Sequence, residues 1–374
     1  MSYLKLDIIP FGSDARCDAT SDLINVSPLR IYNDESNFFS GVFRRSNINI
    51  TLNNNLRMYS IDDSRSIFER LRRENSQVEC FYIANNPNLD PYLVFRGLIT
   101  EGSTQNDLTK KNINLTVVDQ LKYLDNLSLT ADELRGFDYD LNTEFIERYL
   151  RFVFAKGLTQ EFDLNEVFNV FENNQTDKIS ATIESIYRPS DAFYDSENTS
   201  TLEIFNNILS SVNSYPVVEN FVDRSELFVK PRPLSTQAAK RTIDIEDILS
   251  IENQTNGFNK VYNKISINGF MPYVDQPSID EFGERTLDIT SYAAPSQALA
   301  QTYFDYFSQP KIEMDVILVM SHRNLDLKIG ERVNIIVEDL LNNFTLQPLN
   351  ESLFIIRQEL NFKNDTIKLR LREV

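Results

Sequence analysis

Strict alternation of apolar and polar residues, found near both ends of the chain, is the feature that most restricts its fold. Apolar residues occupy every second position in two segments: Ile48, Ile50 and Leu52 in the first, and Ile367, Leu369 and Leu371 in the second. Successive side chains of an extended strand point to opposite faces, so a period of two is typical of a strand that buries one face. The pattern predicts such strands at both ends of the chain.

Further strand-like runs accompany these two segments. In the first third of the chain they span residues 78–84, 92–100 and 111–118, and the polar loop 101–110 suits a hairpin connection. In the last third they span residues 261–270, 285–289, 311–320, 332–337 and 353–361. Asn364-Asp365 marks a tight turn before the final strand.

Helical periodicity is concentrated in the middle of the chain. Residues 142–155 carry a broad apolar face and are followed by Gly157, a residue type that commonly ends helices. Ser200-Thr201-Leu202-Glu203 has the spacing of a capping box and predicts a helix over 201–212, with a hairpin over 217–229 after it. Shorter helices are predicted over 62–73, 118–127 and 295–307, and residues 230–240 predict a linker.

These patterns predict a β-rich α+β protein with divisions at 1–130, 131–240 and 241–374. The strand, turn and strand over 93–117 have a counterpart over 353–371, with Asp107 and Asp365 in the two turns. Any two hairpins share this pattern, but both lie in strand-rich regions separated by the helical middle. The pair therefore indicates an internal duplication of one β-domain.

The charge balance argues against nucleic-acid binding. The chain of 374 residues has 37 Lys and Arg against 55 Asp and Glu, a net charge of −18. A protein that grips nucleic acid does so with cations that displace counterions from the phosphates. The densest basic run, Arg70-Leu71-Arg72-Arg73, has acidic neighbours and is interpreted as a solvated helix face. No sequence-specific nucleic-acid binding is expected, and the acidic balance is compatible with DNA that passes without sticking.

The chain lacks most residues from which metal and nucleophilic sites are built. It has one histidine, His322, and two cysteines, Cys17 and Cys80, which are predicted to be free thiols. A zinc site with two or three imidazole ligands is therefore impossible. His322 follows a predicted strand in Ser321-His322-Arg323-Asn324, so a turn or surface role is expected for it.

The remaining chemical motifs are also missing. No Gly-x-Ser-x-Gly, Gly-x-Gly, Walker or calcium-loop motif occurs. Asp138 and Asp140 precede a predicted helix and suit its N-terminal dipole, while Glu281 and Glu284 flank Gly283 in a predicted turn. We predict no catalytic, cofactor-binding or metal-binding residues and no enzymatic activity. A cell-wall hydrolase that uses two facing carboxylates is the enzymatic alternative.

The N-terminal residues contain no basic stretch followed by an apolar run, and no window approaches the length of a membrane span. A protein made in the cytoplasm, without a membrane-spanning segment, is expected.

A resemblance to a known family rests on an ordered series of motifs in the last third. Ile265-Ser266-Ile267-Asn268-Gly269 is followed by Glu281-Phe282-Gly283-Glu284-Arg285 and by the Ala-rich helix that begins Ser296-Gln297-Ala298. Leu325-Asp326-Leu327-Lys328-Ile329-Gly330-Glu331-Arg332-Val333 and a two-strand ending come next. Phe95-Arg96-Gly97-Leu98-Ile99 and Val117-Val118-Asp119-Gln120-Leu121 extend the match to the first third. This order resembles the hub proteins of bacteriophage tails and baseplates, a family also found in related contractile injection systems.

The resemblance implies two β-barrel domains of tail-tube type, over 1–130 and 241–374, with an α/β insert over 131–240 between them. It implies a structural virion protein at the tail tip, where a homotrimer adapts the sixfold tube to threefold spike or fibre components around the DNA-ejection channel. The implied partners are the tail tube or distal tail protein, the end of the tape-measure protein, and a spike or fibre protein. A β-rich receptor-binding or glycan-binding tail protein is the alternative, with Tyr187, Phe193 and Tyr194 as its candidate loop cluster.

Overall fold

The computed structural model describes most of both ends of the chain and part of the middle. The described residues are 2–32, 46–60, 64–68, 76–86, 88–100, 105–107, 111–119, 128, 130, 132, 199–211, 214–220, 225–231, 238–255, 260–267, 273–289, 303–304, 307–341 and 348–373. All structural statements below concern these residues.

The first part of the chain is built from short and medium strands. They are β1 Tyr3–Ile9, β2 Cys17–Asp18, β3 Leu23–Val26, β4 Leu29–Tyr32, β5 Asn47–Asn53, β6 Gln77–Ile83, β7 Tyr92–Ile99, β8 Gln105–Asp107 and β9 Asn112–Val118. A single 3-10 turn, Thr20–Asp22, separates β2 from β3. In the middle, helix α1 Thr201–Ser211 leads into a hairpin of β10 Ser214–Asn220 and β11 Ser225–Pro231.

The last part returns to strands. They are β12 Arg241–Ile243, β13 Ile248–Thr255, β14 Lys264–Ile267, β15 Tyr273–Val274, β16 Thr286–Ile289, β17 Glu313–Val319, β18 Arg332–Leu341, β19 Pro348–Asn361 and β20 Thr366–Arg372. Helix α2, Gln276–Phe282, lies between β15 and β16, and the one-turn helix α3, His322–Leu325, follows β17. A second 3-10 turn, Ile245–Asp247, separates β12 from β13.

The pairing order of the strands repeats between the two ends of the chain. In the described residues of the first end it is β2-β1-β6-β7-β9-β5-β3, and in those of the second it is β12-β18-β19-β20-β17-β13. Five strands, β3, β5, β6, β7 and β9, thus correspond in chain order and in neighbours to β13, β17, β18, β19 and β20. Each of these neighbouring pairs is antiparallel at both ends. We call the two sets of strands the first and second repeat.

The repeats differ in one place. In the first repeat β1 lies between β2 and β6, whereas in the second repeat β12 pairs directly with β18, in parallel. The hairpin pattern that the sequence shows over 93–117 and 353–371 corresponds to β7–β9 and β19–β20, which occupy equivalent positions in the two repeats.

The same β-bulge occurs at equivalent positions of the two repeats. The register between β3 and β5 moves from Leu23 and Leu52 to Asn25 and Thr51, so Ile24 has no partner opposite it. The register between β13 and β17 moves from Ile248 and Leu318 to Ser250 and Ile317, which leaves Leu249 opposite no residue. Both side chains are exposed, at 53% for Ile24 and 56% for Leu249. A bulge re-aims the side chain of its extra residue, and here it aims two large aliphatic groups at solvent.

The two repeats are joined by strand pairing. After β3 leaves β5, the chain continues as β4, which pairs with Arg357–Leu360 of β19 in the second repeat. Because of this crossing, fifteen of the strands in the described residues form a single hydrogen-bonded sheet. The interior is shared as well, since residues such as Leu6 and Ile50 belong to the same hydrophobic cluster as Val316 and Leu369.

Strand β19 is buried on both faces. Leu353 and Ile355 pack into the main cluster, whereas Phe354 and Ile356 pack into a second, smaller cluster. The second cluster also contains side chains of the small sheet β15-β14-β16 and of Tyr303 and Phe307. The side chains on the two faces of β19 therefore pack against two different layers of the protein.

Asn263 fastens the small sheet to helix α2. Its side-chain amide is fully buried, donates to the carbonyl of Gly283 at 2.8 Å and accepts from the amide of Arg285 at 2.8 Å. Gly283 ends α2 with a φ of 79°, a conformation that favours glycine. The turn that the sequence predicts at Gly283 is therefore confirmed, although helix α2 before it was not predicted.

Buried charges pair across β17 and β20. Glu313 lies opposite Arg372, and its carboxylate contacts Lys260 at 2.8 Å and Arg370 at 3.1 Å. Burial alone would raise the pKa of the Glu313 carboxyl, but Arg372, Lys260 and Arg370 outweigh that effect and hold the pKa below its usual value. The ionised form is therefore the one that the folded protein favours.

Most of the long predicted strands are confirmed, but β1 and β13 were not predicted, and the helix predicted over 62–73 is wrong at residues 64–68, which form turns. β6, β7, β9, β17, β18, β19 and β20 lie where the sequence places strands, and α1 with its hairpin is also confirmed. The predicted loop 101–110 contains the short strand β8. The predicted helices over 118–127 and 142–155 lie almost wholly outside the described residues.

Gly97, in the Phe95–Ile99 motif, illustrates why a strand interior uses glycine. A Cβ atom placed there would lie 2.4 Å from the carbonyl oxygen of Val118 on β9 and 2.6 Å from the ring of Phe95. The glycine allows β7 and β9 to approach each other at this point.

Replacing Glu313 by Gln is expected to lower the free energy of unfolding at neutral pH by about 3 kcal/mol, because it removes the buried negative charge that Arg370 and Arg372 face. The lowered pKa of Glu313 stabilises the fold above the pKa of the unfolded chain, and this contribution is lost as the pH falls through the folded-state pKa. The difference between variant and wild type should therefore shrink when chemical unfolding is measured near pH 4 and below.

The control is Glu284→Gln, which removes an ion pair with Lys264 on the exposed surface. It should change the free energy of unfolding by less than about 1 kcal/mol at either pH. A Glu313→Gln penalty that stays equal at neutral and acidic pH would contradict the assignment.

Candidate functional site

The carboxylates and thiols that the sequence offers for chemistry do not form a common site in the described residues. Glu281 and Glu284 are exposed, and Glu284 pairs with Lys264 at 2.7 Å. Cys17 and Cys80 are both free thiols, as predicted. Within the described residues, no group of three or more His, Cys, Asp or Glu side chains is arranged to hold a metal ion.

Other residues considered from the sequence lie outside the described part of the chain. These are Asp138, Asp140, Tyr187, Phe193, Tyr194 and the run Arg70-Leu71-Arg72-Arg73.

Polar side chains converge at the contact between the two repeats. The loop Met320–Glu331, which we call the junction loop, connects β17 to β18 in the second repeat and contacts the β6–β7 hairpin of the first. The hydroxyl of Tyr82 donates to the carbonyl of Met320 at 3.1 Å, and that of Tyr92 donates to the carbonyl of Leu325 at 3.2 Å. Tyr82, near the end of β6, and Tyr92, at the start of β7, thus donate hydrogen bonds to the main chain of the second repeat.

His322 lies between these tyrosines. Its Nε2 atom is 2.9 Å from the carbonyl oxygen of Asp90, in the connection between β6 and β7. Its ring centroid is 5.8 Å from that of Tyr82 and 5.8 Å from that of Tyr92, with an edge-on geometry to the latter. The expected turn or surface role is therefore refined: His322 begins the one-turn helix α3 and is half-buried in the contact between the repeats.

Lys328 closes the other side of Tyr92. Its Nζ atom donates to the Tyr92 hydroxyl at 2.9 Å and lies 5.3 Å from the centre of the tyrosine ring. Tyr92 therefore accepts a hydrogen bond from one residue of the junction loop while donating to another.

The junction loop is held rigidly by its own repeat. Ser321 accepts the amide of Asn324, and the buried Asn324 side chain donates to the carbonyl of Val319 at 2.9 Å. Gly330, with a φ of 80°, donates its amide to the carbonyl of Ile355 at 2.7 Å. Gly330 lies in a turn, which returns the chain to the edge of β19.

This arrangement is suited to holding two parts of the chain together. The Tyr82 and Tyr92 hydroxyls donate to main-chain carbonyls, and the Lys328 ammonium donates to the Tyr92 hydroxyl and to the carbonyl of Leu325. Burial raises the pKa of the Tyr82 phenol, the largest effect on it, so the hydroxyl remains a hydrogen-bond donor. The sequence carried no signal for this site, because Tyr82, Tyr92 and His322 are distant along the chain.

Comparison with known proteins finds similarity at the level of structure. No protein-family model matches the sequence, and no curated protein matches it. A tail protein from Neisseria meningitidis aligns over 99% of this chain and 97% of its own, with 12% identity and a TM-score of 0.54. The prophage tail protein gp18 from Listeria monocytogenes aligns over 99% and 94%, with 12% identity and a TM-score of 0.54. The prophage MuSo2 43 kDa tail protein from Shewanella oneidensis aligns over 98% and 97%, with 9% identity and a TM-score of 0.52.

This chain has the fold of these tail proteins. The similarity spans almost the full length of both partners, so it covers both repeats and the segment between them. The resemblance to phage tail proteins that the ordered motifs showed is thereby confirmed as a similarity of fold. Within the described residues, the tail-protein fold contains no helix that is long and apolar enough to cross a membrane.

Replacing Tyr92 by Phe removes one donor and one acceptor from the contact between the repeats. We expect a loss of about 1 to 2 kcal/mol in the free energy of unfolding, because the Leu325 carbonyl and the Lys328 ammonium lose a partner. Amide hydrogen exchange over residues 321–328 should accelerate, since the junction loop is then less firmly held.

Tyr59→Phe is the matched control, because the Tyr59 hydroxyl donates to Asp22 at 2.8 Å inside the first repeat. Its cost should be of the same order, without faster exchange over 321–328. Equal acceleration in both variants, or none in Tyr92→Phe, would show that the tyrosine does not hold the loop.

Proposed function

We propose that this chain is a structural subunit of a phage tail tip: a hub that assembles as a homotrimer beneath the tail tube. In this role it joins the sixfold tube to threefold spike or fibre components and surrounds the channel through which DNA leaves. The tail-protein fold supports the general role. The observation that supports the specific role as a trimeric hub is the internal repeat.

The repeat supplies a physical solution to a mismatch of symmetry. Five strands recur with the same order and the same antiparallel neighbours at the two ends of the chain. Three chains with two equivalent repeats present six similar surfaces, and such a ring fits a sixfold tube as well as a threefold tip. We propose that each repeat is a tail-tube-like β-barrel and that the α/β segment between them is an insert, with boundaries near 1–130, 131–240 and 241–374.

The bulge residues give this proposal a concrete surface. Ile24 and Leu249 lie at equivalent positions and are both more than half exposed. A partner that meets both repeats in the same way must itself present copies of one surface. A tube built from identical subunits has this property, so the two aliphatic side chains are suited to contact neighbouring tube subunits.

The charge balance suits a channel for DNA. With a net charge of −18, the chain as a whole is not suited to hold phosphate, so DNA can pass without being bound. In this role the tape-measure protein's end, the tube or distal tail protein and a spike or fibre protein are the partners. The protein would be synthesised in the host cytoplasm and reside in the virion.

We propose no enzymatic activity for the chain. The polar cluster between the repeats engages main-chain carbonyls, and Glu281 and Glu284 are solvated. No described residue favours the receptor-binding or glycan-binding alternative over the hub.

The purified chain is expected to assemble into particles of three times its 43.3 kDa mass, measured by sedimentation or native mass spectrometry. Negative-stain images should show a ring with a central hole and a sixfold outline. Ring assembly by protomers with large apolar interfaces is stable at micromolar concentration.

A particle that stays monomeric at high micromolar concentration would contradict the hub, and so would a dimer. Release of soluble fragments from peptidoglycan by the purified chain, measured against a heat-inactivated sample, would overturn the structural role in favour of a hydrolase.

A further inference from the structure

Four equivalent positions on the outer faces of the two repeats differ in charge. Both faces point away from the main cluster, and their registers can be matched from the bulges at Ile24 and Leu249. In the first repeat the four positions hold neutral residues, which we call the neutral set: Ser27, Asn49, Asn114 and Thr116. In the second repeat the same positions, in the same order, hold charged residues, which we call the charged set: Glu252, Asp315, Lys368 and Arg370.

The neutral set is joined by hydrogen bonds that do not depend on ionisation. The amide of Asn49 donates to the Ser27 hydroxyl at 2.9 Å, and the Thr116 hydroxyl donates to the side-chain carbonyl of Asn49 at 2.9 Å. The Thr51 hydroxyl donates to the side chain of Asn114 at 2.8 Å. Amide and hydroxyl side chains of this kind keep the same charge in acid and at neutral pH, so these contacts persist in both.

Asp315 lies at the centre of the charged set. Its side chain is 5% exposed and contacts Lys368 at 3.1 Å and Arg370 at 3.4 Å. Glu252 of β13 lies directly opposite Asp315, an arrangement in which like charges repel. Lys368 also contacts Glu252, at 3.5 Å, so one ammonium group bridges two carboxylates that would otherwise repel each other. The two acids and two bases balance only while both carboxylates are ionised.

The end of β13 depends on the charged set because regular strand pairing stops there. The register shifts between Glu252 and Thr255, so that Asn253 and Gln254 lie opposite no residue of β17. Asn253 has a φ of 51°, and its side chain donates to the Oδ2 atom of Asp315 at 2.6 Å. In the part of the chain that the structure describes, β13 pairs with β17 alone and is an edge strand. Side-chain contacts with Asp315 therefore carry much of the hold on this end.

The charged groups that face the set from neighbouring elements have partners of their own. Glu359 of β19 lies opposite Lys368 and contacts Arg30 of β4 at 3.0 Å. Arg370 also contacts Glu313, and the lowered pKa of Glu313 means that this contact is lost only as the pH falls through that lower value. Arg370 thus keeps one carboxylate partner in moderate acid. The remaining charged groups on this face are Lys260, Arg357 and Arg372.

We propose that the charged set is an acid-sensitive latch that holds the end of β13, residues 252–255, on β17. At neutral pH the latch is closed, with Lys368 between the two carboxylates. When Glu252 and Asp315 gain protons, Lys368 loses both ionic partners and the hydrogen bond from Asn253 no longer has a charged acceptor, which weakens it. The end of β13 then opens. The neutral set has no such response, so acid makes the two repeats behave differently.

Amide hydrogen exchange of the full chain tests the latch, after correction for the direct effect of pH on exchange chemistry. Protection over residues 251–255 should fall about threefold to tenfold between neutral pH and about pH 4, where carboxyl groups lose their charge. Protection over residues 25–27, the equivalent part of the first repeat, should change little. Equal changes in both segments, or none over 251–255, would contradict the latch.

Replacing Lys368 by Met should reverse the response to pH. The variant leaves Glu252 and Asp315 opposite each other without their bridge, so protection over 251–255 should fall about threefold to tenfold at neutral pH. It should recover near pH 4, where the repulsion is lost. Adding Glu252→Gln to this variant should restore protection at neutral pH. Asn114→Met, at the equivalent exposed position of the neutral set, is the matched control and should leave exchange over 251–255 unchanged.

A purely structural role for the Lys368 stem gives a different result. Lys368→Met would then lose the same protection at both pH values, and Glu252→Gln would not restore it; either outcome overturns the proposal. Thermal unfolding at each pH establishes that the variants are folded, which is expected because Lys368 and Asn114 lie outside the hydrophobic clusters. If the wild type unfolds as a whole near pH 4, restoration by Glu252→Gln at neutral pH decides the matter.

Discussion

Each edge of a β-strand must be paired or protected, and the rest of this structure depends on how β19 meets that requirement. β4 and β20 pair with the same residues of β19, so they lie on its opposite edges. β18 pairs with the preceding part of the strand, as far as Phe354. Beyond Phe354, where the pairing with β18 stops, β4 of the first repeat pairs with that edge of β19. The 14-residue strand is thus completed only when the two repeats come together.

Strand pairing also fixes how the repeats are oriented. A shift of one residue between β4 and β19 would turn Leu29 and Leu360 away from the shared core, so the register is strongly specified. Tyr82, Tyr92 and His322 hold a second point of contact at the β6–β7 hairpin. Two attachment points far apart in sequence restrain rotation about either one.

Sequence reasoning succeeded where a strand has one buried face and enough length to show a period. β5 and β20 alternate over seven residues each, and both were predicted. It failed for β1, although Leu4, Leu6 and Ile8 alternate there with Lys5 and Asp7, and for β2, β8 and β12, which have two or three residues. A strand of two or three residues is too short to show a period, whereas the alternation in β1 was present and was not used.

Other features had a signal that was present but not used. Helix α2 begins after Asp275, whose side chain accepts the amide of Ser278, with Pro277 in the first turn; these are common helix-start residues. The equivalence of β3 and β13 is visible in Asp22-Leu23-Ile24-Asn25-Val26 and Asp247-Ile248-Leu249-Ser250-Ile251. The contact between the repeats had no such signal, because it joins residues whose proximity depends on the pairing of β4 with β19.

The contact between repeats is heterologous, since a loop of one meets a hairpin of the other, and this limits the assemblies that it can build. A head-to-tail contact closes into a ring only if the rotation from one repeat to the next divides a full turn evenly; otherwise it continues as a filament. One such step is already fixed inside the chain by β4, β19 and the tyrosines. In the proposed ring, a contact between chains would have to repeat this step with other residues and space the repeats evenly around a full turn.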